Sequence, residues 1–212
     1  LVNELYVTAG KNALYASQGR SAAVMMADRT EELFSADTSL MGYYNRVYAG
    51  GRWKHFMDQA HLGYIDWADP PENSLRAIKL LRPEIPVAAS LGVAVEGSGK
   101  TWPGADETPL IPPFDVFNRQ TRYLELFNKG QEPFDYTVET DSPWIRLNQV
   151  AGTVTDQNRV NVDIDWSTLT SGSHEGSVIV KGAGTEVMIK VTAFYPAEPL
   201  PSTVKGFVET DG

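Results

Sequence analysis

Apolar residues recur every three or four positions at Val2, Leu5, Tyr6, Ala9, Ala13 and Ala16, and the phase resumes at Ala23, Met26, Ala27, Leu33 and Phe34. That spacing marks one face of an amphipathic helix, and it predicts a single long helix over residues 2–34. Gly10 and Gly19 each weaken it by about 1 kcal/mol relative to alanine, unless they mark close contact with a neighbouring helix. Such a helix would be roughly 50 Å long, more than one short partner covers. A second helix is predicted from Asp37, a residue suited to an N-cap, through Leu40, Tyr43, Tyr44, Val47 and Tyr48 to the stop at Gly50-Gly51. Residues Trp53 to Gln59 have room for about two further turns, which would set His55 beside Asp58 and Gln59.

After Trp67 the helical phase is lost. Pro70, Pro71, Pro83 and Pro86 interrupt regular structure. Residues 87–117 read as an ordered, glycine- and proline-rich crossing with one candidate strand at Val93 to Glu96. Beyond it the period becomes two: Tyr123 to Phe127, Phe134 to Val138, Val160 to Ile164, Ser177 to Lys181 and Val187 to Ala193 alternate as half-buried strands do. Turn residues such as Lys129-Gly130, Ser142-Pro143 and Ser171-Gly172 separate them at intervals suited to a small antiparallel sandwich. Trp144 and Trp166 are the expected large core residues. The fold class is therefore α+β: a helical segment over 1–86, part of a helix bundle, the crossing, an antiparallel Ig-like β-sandwich over 118–195, and a tail over 196–212. In that tail a proline-rich stretch leads into KGFVETDG, which reads as the start of a further strand. The open last strand and the first residue, leucine, lead to the expectation of a piece of a longer polypeptide.

Composition narrows the partners. With 42% hydrophobic and 21% charged residues the chain can build a core. A net charge of −9 and a pI near 4.8, with no lysine or arginine run, repel phosphate backbones, so nucleic acid is not an expected partner. No apolar run approaches the roughly 18 residues of a membrane-spanning helix, and no membrane partner is expected. Zero cysteines exclude disulfides and thiolate zinc sites.

The stretch richest in chemistry is Gly50 to Trp67, GGRWKHFMDQAHLGYIDW. His55 and His61 stand six apart, which does not stack two imidazoles on one helix face as zinc proteases require. A mixed site with Asp58 and Asp66 competes with ordinary structural hydrogen bonds, and the latter weigh more; no metal and no cofactor is expected. Asp58 and Asp66 could also form a glycosidase-like carboxylate pair, although solvated or capping carboxylates are far commoner. Rings at helical spacing usually pack in a core, whereas Trp53 and Trp67 are the best candidates for exposed faces that stack on sugars. Candidate substrate-binding residues are thus Trp53, His55, Asp58, His61 and Trp67. Asp163 and Asp165 alternate on one strand but lack the glycine-centred loop of a calcium site. Gly97-Ser98-Gly99-Lys100-Thr101 has the wrong spacing for a phosphate loop, and Trp102-Pro103 blocks the helix that should follow. His174, in a Ser-Gly turn, has no nucleophile arrangement around it.

Three ordered blocks carry a family resemblance. Gly50 to Tyr64 with Trp67-Ala-Asp-Pro-Pro71 is one. Leu91 to Ser98 with Trp102-Pro-Gly104 is the second, and Pro113 to Tyr123 with Phe127-Asn-Lys-Gly130 the third. Together they resemble the end of the helical domain and the β region of glycoside hydrolase family 115, the xylan α-glucuronidases, over nearly the whole chain. The family often has asparagine where His55 stands and threonine where Ala60 stands. The resemblance implies a bacterial, secreted or periplasmic parent enzyme that removes glucuronic or 4-O-methylglucuronic acid from glucuronoxylan. It implies that the catalytic carboxylates lie in a (β/α)-barrel, which 212 residues of this pattern do not contain, so no catalytic residue falls on this chain. The expected partners are the rest of that enzyme, including its barrel, with xylan as the parent's substrate and a homo-oligomer as a further option. The chain is then a scaffold segment; the other reading is a non-catalytic carbohydrate-binding or protein-interaction module.

Overall fold

The computed structural model describes residues 1–197. Two helices, α1 (Val2–Ser17) and α2 (Ala23–Arg46), lie against each other at the start of the chain. The single long helix expected over 2–34 is broken at Gly19. There the backbone turns left-handed (φ +67), the Arg20 N–H bonds the Tyr15 carbonyl at 2.9 Å and the Gly19 N–H bonds the Ala16 carbonyl at 3.1 Å. These two bonds define the glycine-terminated Schellman stop. Gly10 stays inside α1 with open space where a Cβ would project, so it marks no close helix contact.

The buried stripe of α1 is Leu5, Thr8, Asn12 and Tyr15, rotated from the alanine phase; that of α2 includes Ala23, Ala27, Thr30 and Leu33. Two polar members of the α1 stripe are satisfied in place. The Thr8 hydroxyl donates to the Leu5 carbonyl, and the Asn12 amide bridges Ala23 and Leu81 at 2.8 Å each. The apolar clusters of the hairpin are small, one around Leu5, Leu33 and Leu62 and another around Tyr15, Ala22 and Ala23.

Residues 52–86 form no regular element and lie along the hairpin as a strap. Leu62, Leu75 and Ile78 join its apolar cluster, and Arg82 pairs with Asp28 and Glu31 of α2. The helical turns expected at Trp53 to Gln59 are isolated hydrogen-bonded turns instead, with Phe56 N–H on the Trp53 carbonyl at 3.0 Å and His55 in the left-handed region (φ 68).

Among the described residues nine strands follow: β1 (Leu91–Val95), β2 (Phe114–Asp115), β3 (Arg122–Asn128), β4 (Phe134–Thr140), β5 (Ile145–Leu147), β6 (Ala151–Val154), β7 (Gln157–Ile164), β8 (Gly172–Gly182) and β9 (Thr185–Tyr195). They make two facing sheets, ordered β1-β3-β7-β5 and β2-β9-β8-β4-β6, antiparallel except for the short parallel pair β2–β9. The inward residues of β4, β7 and β9 close one continuous core that includes Trp144, with Trp166 half-buried against it. This is the Ig-like sandwich the alternation predicts, but its sheets also take in β1 and β2, which the sequence reading leaves in the 87–117 crossing. All five residues of β1 are buried, and a strand covered on both faces loses the alternating signature. The stretch at 109–115 runs along β9, with Lys190 N–H to Pro109 O at 2.8 Å and Ile111 N–H to Lys190 O at 3.0 Å. The tail beyond Ala197, including the strand expected in KGFVETDG, lies outside the described residues.

Hairpin and sandwich meet at Arg20, only 1% exposed. Its guanidinium lies between the Tyr15 and Phe127 rings, 4.4 and 4.2 Å from their centroids. It donates to Gln18 (2.6 Å), Gln157 (3.1 Å) and Glu125 (2.8 Å), so its charge is stacked, paired and hydrogen-bonded. Glu125 also accepts from Arg159 at 2.8 Å. Beside this pair, the fully buried Asn128 accepts the Ser21 N–H on its carbonyl, while its amide ties Ser90, Gly130, Glu132 and Thr155 together. Gly92 and Gly130 let the layers close: a Cβ on Gly92 would stand 2.2 Å from the Phe127 ring, and one on Gly130 1.9 Å from the Ala88 carbonyl oxygen.

Candidate functional site

The junction after α2 is built by a helix end and the strap. Ala49, Gly50 and Gly51 are all left-handed, which turns the chain sharply out of α2. Two separate histidine–aspartate pairs then hold the strap against the helix. His55 Nδ1 lies 2.5 Å from Asp58 Oδ2, while Asp58 Oδ1 accepts from the Asn45 amide at 2.7 Å and Asn45 Oδ1 accepts the Met57 N–H. The contact expected between His55 and Asp58 is thus made through an isolated turn with His55 left-handed, instead of a helix.

Asp37, expected as the cap of a second helix, sits in the middle of α2, buried, and is met by His61 Nε2 at 2.9 Å. Asn73 Oδ1 accepts the backbone N–H groups of His61 and Leu62, which turns its amide nitrogen toward His61 Nδ1 at 3.4 Å. That orientation suits the imidazole tautomer with its proton on Nε2.

His55 and Asp58 line an open cavity of about 600 Å³, with Arg46 and Lys54 in its wall as well as Glu72, Asn45 and Asn73. His61, Trp53, Trp67 and Asp66 are not among its lining residues. Asp66 instead accepts the Ala68 N–H at 2.8 Å, so the carboxylate pair Asp58 and Asp66 does not share this cavity. Trp53 packs edge-on against Phe56 at 5.6 Å, and Trp67 is 95% exposed. Tyr64 donates to Asp69 at 2.9 Å, and that bond raises the phenol's pKa above its ordinary value. Among the described residues no three histidine or acidic side chains gather in metal-binding geometry.

Elsewhere the candidate acids serve the fold. Asp163 is bonded by Thr121, and Asp165 caps the turn at Trp166–Thr168 and pairs with Arg146. The bond from Ser167 and then Arg146 hold the Asp165 carboxyl below its ordinary range. His174 Nε2 reaches the Thr170 carbonyl at 2.7 Å, its ring edge-on to Trp144. Sequence reading missed Arg20, Glu125 and Asn128. A glycine-terminated turn followed directly by an arginine was the one local signal.

No protein-family model matches the chain, and no curated protein matches it significantly. Solved structures match in part. A GH5 xyloglucanase from Bacteroides ovatus aligns over 49% of this chain at 17% identity (TM-score 0.34), the aligned part spanning 19% of the enzyme chain. The periplasmic chaperone SfaE aligns over 51% at 10% identity (TM-score 0.37), covering 60% of the chaperone. WR4, a C. elegans MSP family member, aligns over 41% at 12% identity (TM-score 0.32), covering 91% of that chain.

Proposed function

We propose that this chain is a non-catalytic module, a helical hairpin joined rigidly to an Ig-like sandwich, which serves as scaffold and docking piece of a larger carbohydrate-active protein. The observation that carries the reading is the engagement of its candidate acids: Asp58 is held by Asn45 and His55, Asp37 by His61, and Asp66 by its own turn. Carboxylates committed in this way act as ties, whereas glycoside hydrolysis needs a facing pair with room for the sugar between them. The three resembling blocks support the finer reading that the parent is an α-glucuronidase of the family 115 type, secreted or periplasmic. Two of those blocks contain the seam residues Gly92, Phe127, Asn128 and Gly130, as scaffold segments would. The exposed rings of Trp53 and Trp67 favour a second reading, in which the junction itself holds xylan.

One experiment separates these readings. The purified 23.3 kDa chain is incubated with glucuronoxylan and, separately, with insoluble xylan. A scaffold releases no 4-O-methylglucuronic acid and stays in solution. Retention on xylan that is lost in Trp67→Ala supports the binding reading, and sustained turnover by the intact chain rejects both.

A further inference from the structure

The face of the β1–β3 pair that meets the hairpin shows only small residues on β1: Gly92 opposite Phe127 and Ala94 opposite Glu125. The Phe127 ring fills the space over Gly92, 2.2 Å from where a Cβ would stand. No such ring covers Ala94, and a cavity of about 300 Å³ opens there between the end of α1, the sheet and the loop after β1. That is the small end of the range for small-molecule sites, about 300–1,000 Å³. It shares no residue with the cavity between α2 and the strap.

The floor is polar and fixed. Gln18 and Arg20, both buried, are bonded to each other at 2.6 Å, and Gln18 also donates to the Gly99 carbonyl at 3.1 Å. Arg20 and Arg159 hold the two oxygens of Glu125 in place, leaving each with a lone pair for another donor. Tyr123 stands beside it, with the Arg159 guanidinium 4.0 Å over one face of its ring. Arg159 comes from β7, whereas the cavity lies on the β1 side of β3, so the second face of the ring borders the cavity. The Tyr123 hydroxyl, and the N–H groups of Gly97 and Gly99 at the lip, make no hydrogen bond among the described residues. Neither glycine has anything within 4 Å of where a Cβ would stand, so the lip is bare backbone.

These groups define a ligand class. Arg20 is buried, so the charged atoms of the lining that a ligand can reach are the Glu125 oxygens. They only accept, so the ligand must bring donors and must not be an anion. A cation would meet the two guanidiniums behind that carboxylate. The second face of Tyr123 suits a flat apolar surface. A sugar ring meets all three conditions, being uncharged, rimmed with hydroxyls and apolar on one C–H face. We propose that this notch binds a single neutral pyranose, its C–H face on Tyr123 and its hydroxyls on Glu125 and the Gly97–Gly99 lip. The inference goes beyond both readings above, since one gives the sandwich no ligand and the other places xylan at the junction.

The test is a titration of the full chain with D-xylose and D-glucose, read by backbone amide NMR. A ligand of about ten non-hydrogen atoms implies a dissociation constant on the order of 1 mM, so the series runs to about 50 mM. Saturable shifts are expected at Gln18, Gly97 to Gly99 and Tyr123 to Glu125. Tyr123→Leu should weaken binding about five-fold, the effect of one aromatic contact, and Ala94→Leu, which fills the notch, should abolish it. Glucuronate, the glucose ring with a carboxylate, should bind more weakly than glucose. The proposal is overturned by shifts that do not saturate, by shifts centred on Trp53 and Trp67, by glucuronate or adenosine binding more tightly than either sugar, or by an Ala94→Leu variant that binds as the wild-type chain does. The wild-type shift map decides by itself where a variant loses its fold. The scaffold reading stands or falls on sugar release and retention on insoluble xylan, so the two can fail separately.

Discussion

The Arg20 guanidinium lies 2.8 Å from the Glu125 carboxylate across 105 residues of sequence, and it is through this pair that the hairpin is keyed to the sandwich. Removing the cation leaves a carboxylate in a site made for its partner. Arg20→Met should destabilise the chain by about 3 kcal/mol, the lower end for a broken buried pair because Arg159 remains on Glu125. Arg20→Met with Glu125→Leu should recover part of that loss. Urea titration of the three variants checks both statements.

The same carboxylate makes the seam sensitive to acid. Burial pushes the Glu125 pKa up, but the bonds from Arg159 and Arg20 outweigh it and leave it below its ordinary value. When the folded pKa lies below the unfolded one, the unfolded state binds the proton first as pH falls. The contribution of Glu125 is therefore full above the unfolded pKa of about 4.3 and lost as pH drops through the folded value. Glu125→Gln should flatten the stability profile below about pH 4, as measured by thermal melts across the acid range.

Steric closure of the seam predicts a contrast between glycines. Gly130→Ala drives a methyl into the Ala88 backbone oxygen, which cannot rotate away, and should cost at least about 2 kcal/mol. Gly99→Ala meets nothing within 4 Å and should stay within about 0.5 kcal/mol. Chemical denaturation midpoints give the comparison.

One of the ties that hold the strap ends on a buried acceptor, Asp37. His61→Ala leaves Asp37 without its imidazole partner and should cost about 1–3 kcal/mol, felt first over residues 52–80. Hydrogen exchange should show faster amides there while β3, β7 and β9 keep their protection; uniform acceleration throughout would contradict a local role.

How much of this was legible depended on which forces act locally. The strands β4, β7 and β9 announce themselves because each has one wet face. β1 is read only in part, as the candidate strand at Val93 to Glu96 inside the crossing, because all five of its residues are buried and its LGVAV run has no polar beat. The stop at Gly19 was obscured because the apolar phase on its far side resumes as though the helix continued. Asp37 resembles a cap because its actual donor, His61, stands 24 residues away. At the candidate site, the three-residue spacing of His55 and Asp58 was informative and the surface position of Trp67 could be anticipated. The commitment of Asp58 to Asn45 could not, because it rests on how the chain turns at three successive left-handed residues. Arg20 has only the glycine turn before it as a local signal, and nothing near it in sequence says which carboxylate it will meet.

The stretch along β9 has a consequence for behaviour at high concentration. An open sheet border invites another chain to add a strand. Here that border is occupied by residues 109–115, and Pro112 and Pro113 within them have no N–H to donate to a newcomer. Strand addition should therefore be blocked at this border of the β2-β9-β8-β4-β6 sheet, which leaves Ala151–Val154 as the open border of that sheet.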